Sequence, residues 1–188
     1  MNRPEYRPRE ETMKSPNPVS VKVGLVLSAV MAAMFSMPVS TQPAGTNPDP
    51  FQVPAYKQAF FDASRIYGKA GCGDIELAQM TADNAIRAKV SASVIAAIVA
   101  VESTCNPLAI SNRGAVGLTQ VNVKVQSSKY AQFRTINLFN PDDSMRVGTD
   151  ILADMIHQYG LHGGVSHYNG EGPDAEAYAV KVLALAGR

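Results

Sequence analysis

Glu102 is the residue of this chain whose placement most directly suggests chemistry. It follows an apolar stretch over residues 91–101. If Ser91 caps a helix that begins at Ala92, residues three, four, seven and eight apart share a face, and Glu102 lies in line with the apolar positions 94, 95 and 98. Burying an unpaired charge is costly, so such a carboxyl group either finds a donor or stays protonated. A protonated Glu near neutral pH can act as a general acid.

The alternative for Glu102 is a buried carboxyl group that backbone donors satisfy and that does no chemistry. Helical periodicity alone does not separate these interpretations, because both place the side chain on the buried face. The residues that follow favour the catalytic one. They form linked motifs, in this order: Glu102-Ser103, Asn106-Pro107-Leu108-Ala109, Gly114-Ala115-Val116-Gly117-Leu118-Thr119-Gln120 and Tyr168-Asn169-Gly170.

This set of motifs resembles the soluble-type lytic transglycosylases, whose catalytic domain is lysozyme-like. The family pattern reads Glu-Ser, Asn-Pro-x-Ala, Gly-Ala-x-Gly-Leu-Met-Gln and Tyr-Asn-Ala-Gly, and the spacings fit. Asn140-Pro141, with the later Gly148 and Leu152, resembles the family's helix that begins at Asn-Pro. The resemblance covers roughly residues 70 to 186, and several linked motifs are far more specific than any one of them.

The resemblance implies that Glu102 is the catalytic acid and base of a peptidoglycan lytic transglycosylase. In that family the Glu protonates the oxygen between N-acetylmuramic acid and N-acetylglucosamine, then takes a proton from the sugar's own C6 hydroxyl, which attacks C1. The product has a 1,6-anhydro end, and no water is consumed. Peptidoglycan glycan strands are therefore the implied partner.

The motif positions also imply supporting roles around Glu102. Ser103 would help to orient the substrate or the acid, and Gln120 and Asn169 would contact the sugar. The Tyr168 hydroxyl would hydrogen-bond the Glu102 carboxyl group and keep it placed. The alternatives stay open: a helix-end hydroxyl for Ser103, surface amides for Gln120 and Asn169, and core packing for Tyr168.

A second carboxyl group would change the predicted reaction. Most glycoside hydrolases position two carboxyl groups, whereas the transglycosylase reaction needs one. Asp142 and Asp143 are explained by the start of a helix, but Glu171, directly after the Tyr168-Asn169-Gly170 motif, is a candidate. If it faced Glu102 across the cleft, the protein would be a lysozyme-type peptidoglycan hydrolase. A non-catalytic peptidoglycan-binding protein is the further alternative.

Several positions depart from the family pattern. Thr119 replaces the usual Met, which predicts the loss of a flexible apolar wall of the sugar pocket. Ser144 replaces an Asn, Ile151 replaces a Tyr, and Gly170-Glu171 replaces Ala-Gly. None of these changes removes the proposed acid, so they bear on substrate detail more than on activity.

The composition allows one compact domain and gives no reason to expect a nucleic-acid partner. The chain has 188 residues, a formal net charge of +1 and 46% apolar residues. Nucleic-acid binding requires a cluster of basic residues that contacts the phosphates, and the sequence has no such cluster in the predicted folded part. No Cys/His cluster has zinc spacing, so neither a metal nor another cofactor is predicted.

The small size favours a specialised enzyme that opens local gaps for a secretion or conjugation apparatus, or for a phage virion.

The N-terminal part predicts export. Residues 1–22 carry five Lys or Arg residues, residues 23–37 form an apolar run, and residues 38–54 contain five prolines. Basic residues before an apolar run predict a signal peptide or an inner-membrane anchor. The run is shorter than the ~20 residues of a membrane span, which favours a signal peptide or a segment extended by its flanks. The proline-rich residues predict an extended linker. The alternative is a helix that packs on the domain. The body, residues 55–188, is expected in the periplasm, and Met13 is an alternative start.

Cys72 and Cys105 are the two cysteines of the chain. In an oxidising compartment they could form one disulfide, which would join the segment before the domain core to the loop just after Glu102. Closing a loop of that length stabilises a fold by about 3–4 kcal/mol. Two free buried cysteines are the alternative.

The remaining patterns predict a mainly α, lysozyme-like helical domain with little sheet. A loop or short hairpin over residues 106–117 should line one wall of the cleft. Gly148 is expected to let another helix approach closely. The predicted helices are 56–67, with Phe60, Phe61, Ile66 and Tyr67 on its apolar side, 75–88, 91–103, one that begins at Asn140-Pro141 and ends at Gly160, and 174–186.

Overall fold

The computed structural model describes residues 51, 53–126 and 136–188, and these residues are mainly helical. Their extended pairing consists of isolated antiparallel bridges, Ile110 with Val116 and Val116 with Val121. The mainly helical architecture with a short loop region is therefore confirmed. The helices are α1 (Pro54–Ala70), α2 (Ile75–Ala88), α3 (Ala92–Ser103), α4 (Val123–Gln126), α5 (Pro141–Asn169) and α6 (Pro173–Ala186).

The predictions for residues 1–22 and 23–37, and nearly all of the predicted linker, lie outside the described residues. Within the described ranges, no helix has the length and hydrophobicity that crossing a membrane requires. Pro54, assigned to the linker, is the first residue of α1.

Helix α3 lies at the centre of the core because its sequence is apolar on all sides. Every residue from 92 to 99 is buried. Helices α1, α2 and α6 pack around it, and α5 packs on α2 and α6. Buried Ile95, Ile98 and Leu152 belong to the same core cluster. This packing holds the carboxyl end of α3 in place, so the backbone of Glu102 is rigidly positioned.

Helix α1 differs from its prediction at both ends and in its buried face. It continues through Gly68 and ends where Gly71 adopts a left-handed conformation, with φ 77°. Phe61, predicted on the apolar side, is 55% exposed, whereas Ala59 and Ala63 are buried. The prediction failed because it counted large apolar residues and overlooked alanines, which allow close approach between helices.

The helices on either side of the loop at residues 89–91 begin as predicted. Asp74 caps α2 by accepting hydrogen bonds from the backbone N–H groups of Glu76 (2.8 Å) and Leu77 (3.4 Å). Ser91 occupies the cap position of α3, but its side chain makes no capping hydrogen bond. Its hydroxyl lies 2.9 Å from that of Ser93 instead.

Helix α5 begins as predicted and then continues past its predicted end. The Asn140 side chain accepts a hydrogen bond from the Asp143 N–H at 3.2 Å. Gly160, with φ 73° and ψ 176°, breaks the helix, but a second helical part extends to Asn169. A Cβ on Gly164 would lie 2.6 Å from the backbone of Ile156, so the second part packs closely on the first. This return brings Tyr168 and Asn169 back towards the end of α3.

Gly148 serves a different neighbour from the one predicted. A Cβ at this position would clash with Cβ and Oγ1 of Thr119, which belongs to the loop after α3. The missing side chain therefore admits a loop residue rather than another helix.

Candidate active site

A cleft of ≈ 540 Å³ lies where the end of α3, the loop after it and both parts of α5 meet. It brings together five of the residues predicted for the site: Glu102, Gln120, Tyr168, Asn169 and Glu171. The other polar side chains along its walls are those of Ser111, Asn112, Arg113, Asn122, Asp154, Gln158, Tyr159 and His167.

Glu102 is half-buried at the wall of this cleft. Burial raises the pKa of its carboxyl group, and this effect outweighs the contact with Tyr178 and the positive charge of Lys181, which both lower the pKa. The carboxyl group therefore holds its proton to higher pH than an exposed Glu would. This is the property that a general acid requires.

Tyr178, on α6, faces Glu102 from the core side. Burial raises the pKa of the Tyr178 hydroxyl, and the negative charge of the nearby Glu102 carboxylate raises it further. Among the described residues that hydroxyl has no partner within full hydrogen-bond geometry, although its contact with Glu102 is close enough to lower the pKa of the acid. We therefore regard the contact as a loose hydrogen bond, of the kind that often tightens when substrate binds.

Tyr168 lines the same cleft, but its hydroxyl is used differently from the prediction. It donates a 2.7 Å hydrogen bond to the backbone carbonyl of Thr119. The predicted hydrogen bond from Tyr168 to Glu102 is thus replaced by one to the loop. Tyr168 and Glu102 line the same cleft. Burial raises the pKa of the Tyr168 hydroxyl, and the negative charge of the nearby Glu102 carboxylate raises it further.

Ser103 does not face the cleft. Its side chain is buried, and its hydroxyl donates a 3.0 Å hydrogen bond to the carbonyl of Val99, one turn back in α3. The placement corresponds to the helix-end hydroxyl, so a direct role in orienting substrate is not supported.

Gln120 holds the loop that forms one wall. Its backbone is in the left-handed region, with φ 50°. Its amide nitrogen donates to the carbonyls of Ala109 (3.1 Å) and Gly117 (3.0 Å). Both donor hydrogens are thereby committed to the loop, and the amide oxygen is the part of Gln120 suited to contact a substrate donor.

Comparison with known proteins agrees with this geometry. Residues 79–179 match the sequence model of the transglycosylase SLT domain, and this range is more than half of the 188-residue chain. The chain belongs to the transglycosylase SLT domain family. Compared with curated proteins, the chain gives no significant match.

The SLT domain of this chain contains Glu102, all the linked motifs and Tyr178. Family membership supports a lytic transglycosylase-type activity on peptidoglycan, and the helical architecture is consistent with a lysozyme-like catalytic domain.

Thr119, the residue of the SLT motif that departs from the family pattern, is not part of the cleft wall. It is buried and hydrogen-bonded to Ser144, the departing residue of α5. Its side chain fills the space left by Gly148 and adds no apolar surface to the cleft. The predicted loss of a flexible apolar wall at this position agrees with this placement.

Asp154 and His167 are two further cleft residues of the SLT domain that were not among the predicted site residues. Asp154, on the first part of α5, adds a third carboxyl group beside Glu102 and Glu171. His167 stacks on Tyr159, with ring centroids 4.0 Å apart. The helical spacing of Ile151, Asp154 and Gln158 would have placed Asp154 on one face of α5, but no sequence signal showed that this face borders the cleft.

The predicted disulfide between Cys72 and Cys105 is confirmed in the structure. It joins the end of α1 to the turn directly after Glu102. Thr104 and Cys105 in this turn both have positive φ, 50° and 61°. Left-handed backbone is unfavourable for a β-branched residue such as Thr104, so the covalent bond and the core hold a turn that the local sequence does not favour.

Proposed function

We propose that this SLT-domain protein cleaves the β-1,4 bond between N-acetylmuramic acid and N-acetylglucosamine and leaves 1,6-anhydro ends. The observation that carries the proposal is the half-buried carboxyl group of Glu102 at the wall of an open cleft. Burial raises the pKa of this group. A single acid that can first give and then take a proton is sufficient for this reaction.

The surroundings of Glu102 suit both halves of such a reaction. In the first half, its proton passes to the glycosidic oxygen, and the bond from that oxygen to C1 breaks. The carboxylate that forms is stabilised by the Tyr178 hydroxyl and by the charge of Lys181, both of which lower the pKa of the acid. In the second half, the Glu102 carboxylate takes the proton of the C6 hydroxyl, and the oxygen of that hydroxyl forms a bond with C1.

A peptidoglycan hydrolase is the second candidate, and the three carboxyl groups of the cleft are the observation that favours it. Asp154 or Glu171 would then activate water or stabilise the developing charge. Both side chains belong to exposed residues, unlike the half-buried Glu102. The difference in environment that separates an acid from a base is therefore present, but a second carboxylate is not needed for the first reaction.

Mass analysis of digested peptidoglycan separates the two reactions. We expect muropeptides with anhydro ends, lighter by the mass of one water than the corresponding reducing ends. Asp154→Asn and Glu171→Gln serve as matched variants, because each removes one exposed carboxylate and keeps the side-chain shape. Both should still yield anhydro ends. Reducing ends from the unaltered protein, lost in either variant, would identify a hydrolase.

We also propose that the protein acts in the periplasm, released or anchored by residues 23–37, and opens the wall locally for a secretion or conjugation apparatus or for a phage. The basic and apolar segments of the N-terminal part and the disulfide between Cys72 and Cys105 support an oxidising location. Residues 1–54 fused to a reporter enzyme that is active only after export should give activity. A fusion lacking residues 23–37 should be inactive, and equal activity of the two fusions would contradict export by this segment.

A further inference from the structure

Tyr178 contacts Glu102 from α6, and Tyr168 lines the same cleft as Glu102. The hydroxyl groups of these two tyrosines are used differently. Tyr178 directs its hydroxyl towards the carboxyl group in a loose contact. Tyr168 gives its only hydroxyl proton to the Thr119 carbonyl at 2.7 Å. While the Thr119 carbonyl stays in this place, Tyr168 has no hydroxyl proton left to donate to Glu102.

Thr119 is held by contacts on every side. It is 2% exposed, and its hydroxyl donates to the Ser144 carbonyl at 2.8 Å. Its backbone N–H donates to the Ser144 hydroxyl at 3.2 Å. Its Cβ and Oγ1 occupy the space that a side chain at Gly148 would fill. The N-terminal part of α5 therefore holds Thr119 in place through hydrogen bonds and close packing.

Thr119 and Ser144 are also two positions at which the chain departs from the family pattern. The departures contact each other. A Met at position 119 has no hydroxyl and could not donate to the Ser144 carbonyl. The contacts between Thr119 and Ser144 thus attach the loop after α3 to the start of α5.

We propose that Thr119, held by Ser144 and Gly148, is a positioning residue that directs the Tyr168 hydroxyl proton away from Glu102 and so preserves the proton of the acid. If the Thr119 carbonyl moved, the Tyr168 hydroxyl would turn to the best remaining acceptor nearby, the Glu102 carboxylate. A hydrogen bond donated to the charged form stabilises that form. Glu102 would then lose its proton at lower pH and would be a weaker acid at neutral pH.

The other ionisable groups around Glu102 provide a constant background. They are Lys181 on α6, Asp154 and His167 on α5, Glu171 after α5, and Arg113 in the loop after α3. The hydrogen bonds of the Thr119 hydroxyl go to the carbonyl and hydroxyl groups of Ser144. A change at Thr119 should therefore reach Glu102 through Tyr168 rather than through these charges.

The test compares the full-length protein with Thr119→Val, Thr119→Ser and the double variant Thr119→Val/Tyr168→Phe. Valine has the shape of threonine, but its methyl group cannot approach the Ser144 carbonyl as a hydroxyl does. Two measurements are made: the carboxyl titration of Glu102 by NMR with carbon-13 labelled glutamate, and the pH dependence of kcat/KM on peptidoglycan. The alkaline limb of that profile reports deprotonation of the acid in the free enzyme.

In Thr119→Val, the Glu102 titration and the alkaline limb are expected to move to lower pH, with a loss of roughly three- to tenfold in kcat/KM above neutral pH. Thr119→Ser should titrate like the unaltered protein, because it keeps the hydroxyl. The Tyr168→Phe change should cancel the pH shift in the double variant. Tyr178→Phe, which removes the opposing donor, should move the titration to higher pH.

Ser144→Ala is a milder variant in case Thr119→Val does not fold, and it should shift the titration in the same direction by less. An unchanged Glu102 titration in every folded Thr119 and Ser144 variant would overturn the proposal. So would a shift that persists without the Tyr168 hydroxyl. The inference rests on the proposed function only for its rate measurement. If the unaltered protein cleaved no glycan, the proposed function would fail, while the NMR titration would still decide the role of Thr119.

Discussion

Glu102→Gln is expected to lower peptidoglycan cleavage by roughly 10²- to 10⁴-fold, the usual contribution of a general acid and base. The amide has nearly the same shape as the carboxyl group, so it preserves the packing at the end of α3. It can neither protonate the glycosidic oxygen nor accept the proton of the C6 hydroxyl. The measurement is the release of soluble muropeptides from purified peptidoglycan, with circular dichroism as the check on the fold.

The same substitution should raise stability at neutral pH. Because burial raises the pKa of Glu102 in the folded state, the folded protein binds this proton more tightly than the unfolded chain does. Below the unfolded pKa the carboxyl group is protonated in both states and costs nothing. As the pH rises above that value, the unaltered protein loses stability until the folded pKa is passed. The stability advantage of Glu102→Gln should therefore be absent in acid and greatest at neutral pH.

Asp154→Asn and Glu171→Gln are the matched controls, since each removes one carboxylate from the same cleft. Both are expected to retain most of the activity. Full cleavage by Glu102→Gln would contradict the catalytic role of this residue. Loss of cleavage with unchanged biological function would instead support the non-catalytic, peptidoglycan-binding alternative.

The parts of the site that could be predicted from the sequence are those that local rules determine. Helical spacing placed Glu102 at the end of a buried helix, and Asn140-Pro141 marked the start of α5. The linked motifs placed Gln120 and Tyr168 in the same cleft. In each case the relevant information lies within one or two turns of helix or within one short motif.

The parts that could not be predicted depend on contacts between distant segments. The partner of Tyr168 is a backbone carbonyl 49 positions earlier in the chain, and backbone acceptors leave no trace in residue types. Tyr178 lies on the apolar side of the last helix in the sequence pattern, and this pattern does not show that its hydroxyl contacts the Glu102 carboxyl group. Gly160 was a sound signal for a break. The resumption of the helix depends on Gly164, whose lack of a side chain allows packing against Ile156.

Removing the disulfide, by Cys72→Ala together with Cys105→Ala, is expected to lower the free energy of unfolding by about 3–4 kcal/mol. The bond joins residues that are 33 positions apart, so its loss lets the unfolded chain explore many more conformations. Chemical denaturation of the purified protein measures this change. The unaltered protein in the presence of a reductant should unfold at the same denaturant concentration as the double variant. Equal stability with and without the bond would contradict the expectation.

The larger interest of this variant lies in activity at temperatures where it is still folded. Thr104 and Cys105 have left-handed backbone directly after the end of α3, and the β-branched Thr104 disfavours this conformation. Without the bond from Cys105 to α1, this turn is expected to relax towards ordinary helical conformations and to shift the end of α3. Because Glu102 stands two positions before Thr104, a small movement would misalign its proton with the glycosidic oxygen, and kcat should fall while KM changes little. A fall in stability with unchanged kcat would show instead that the core alone places the acid.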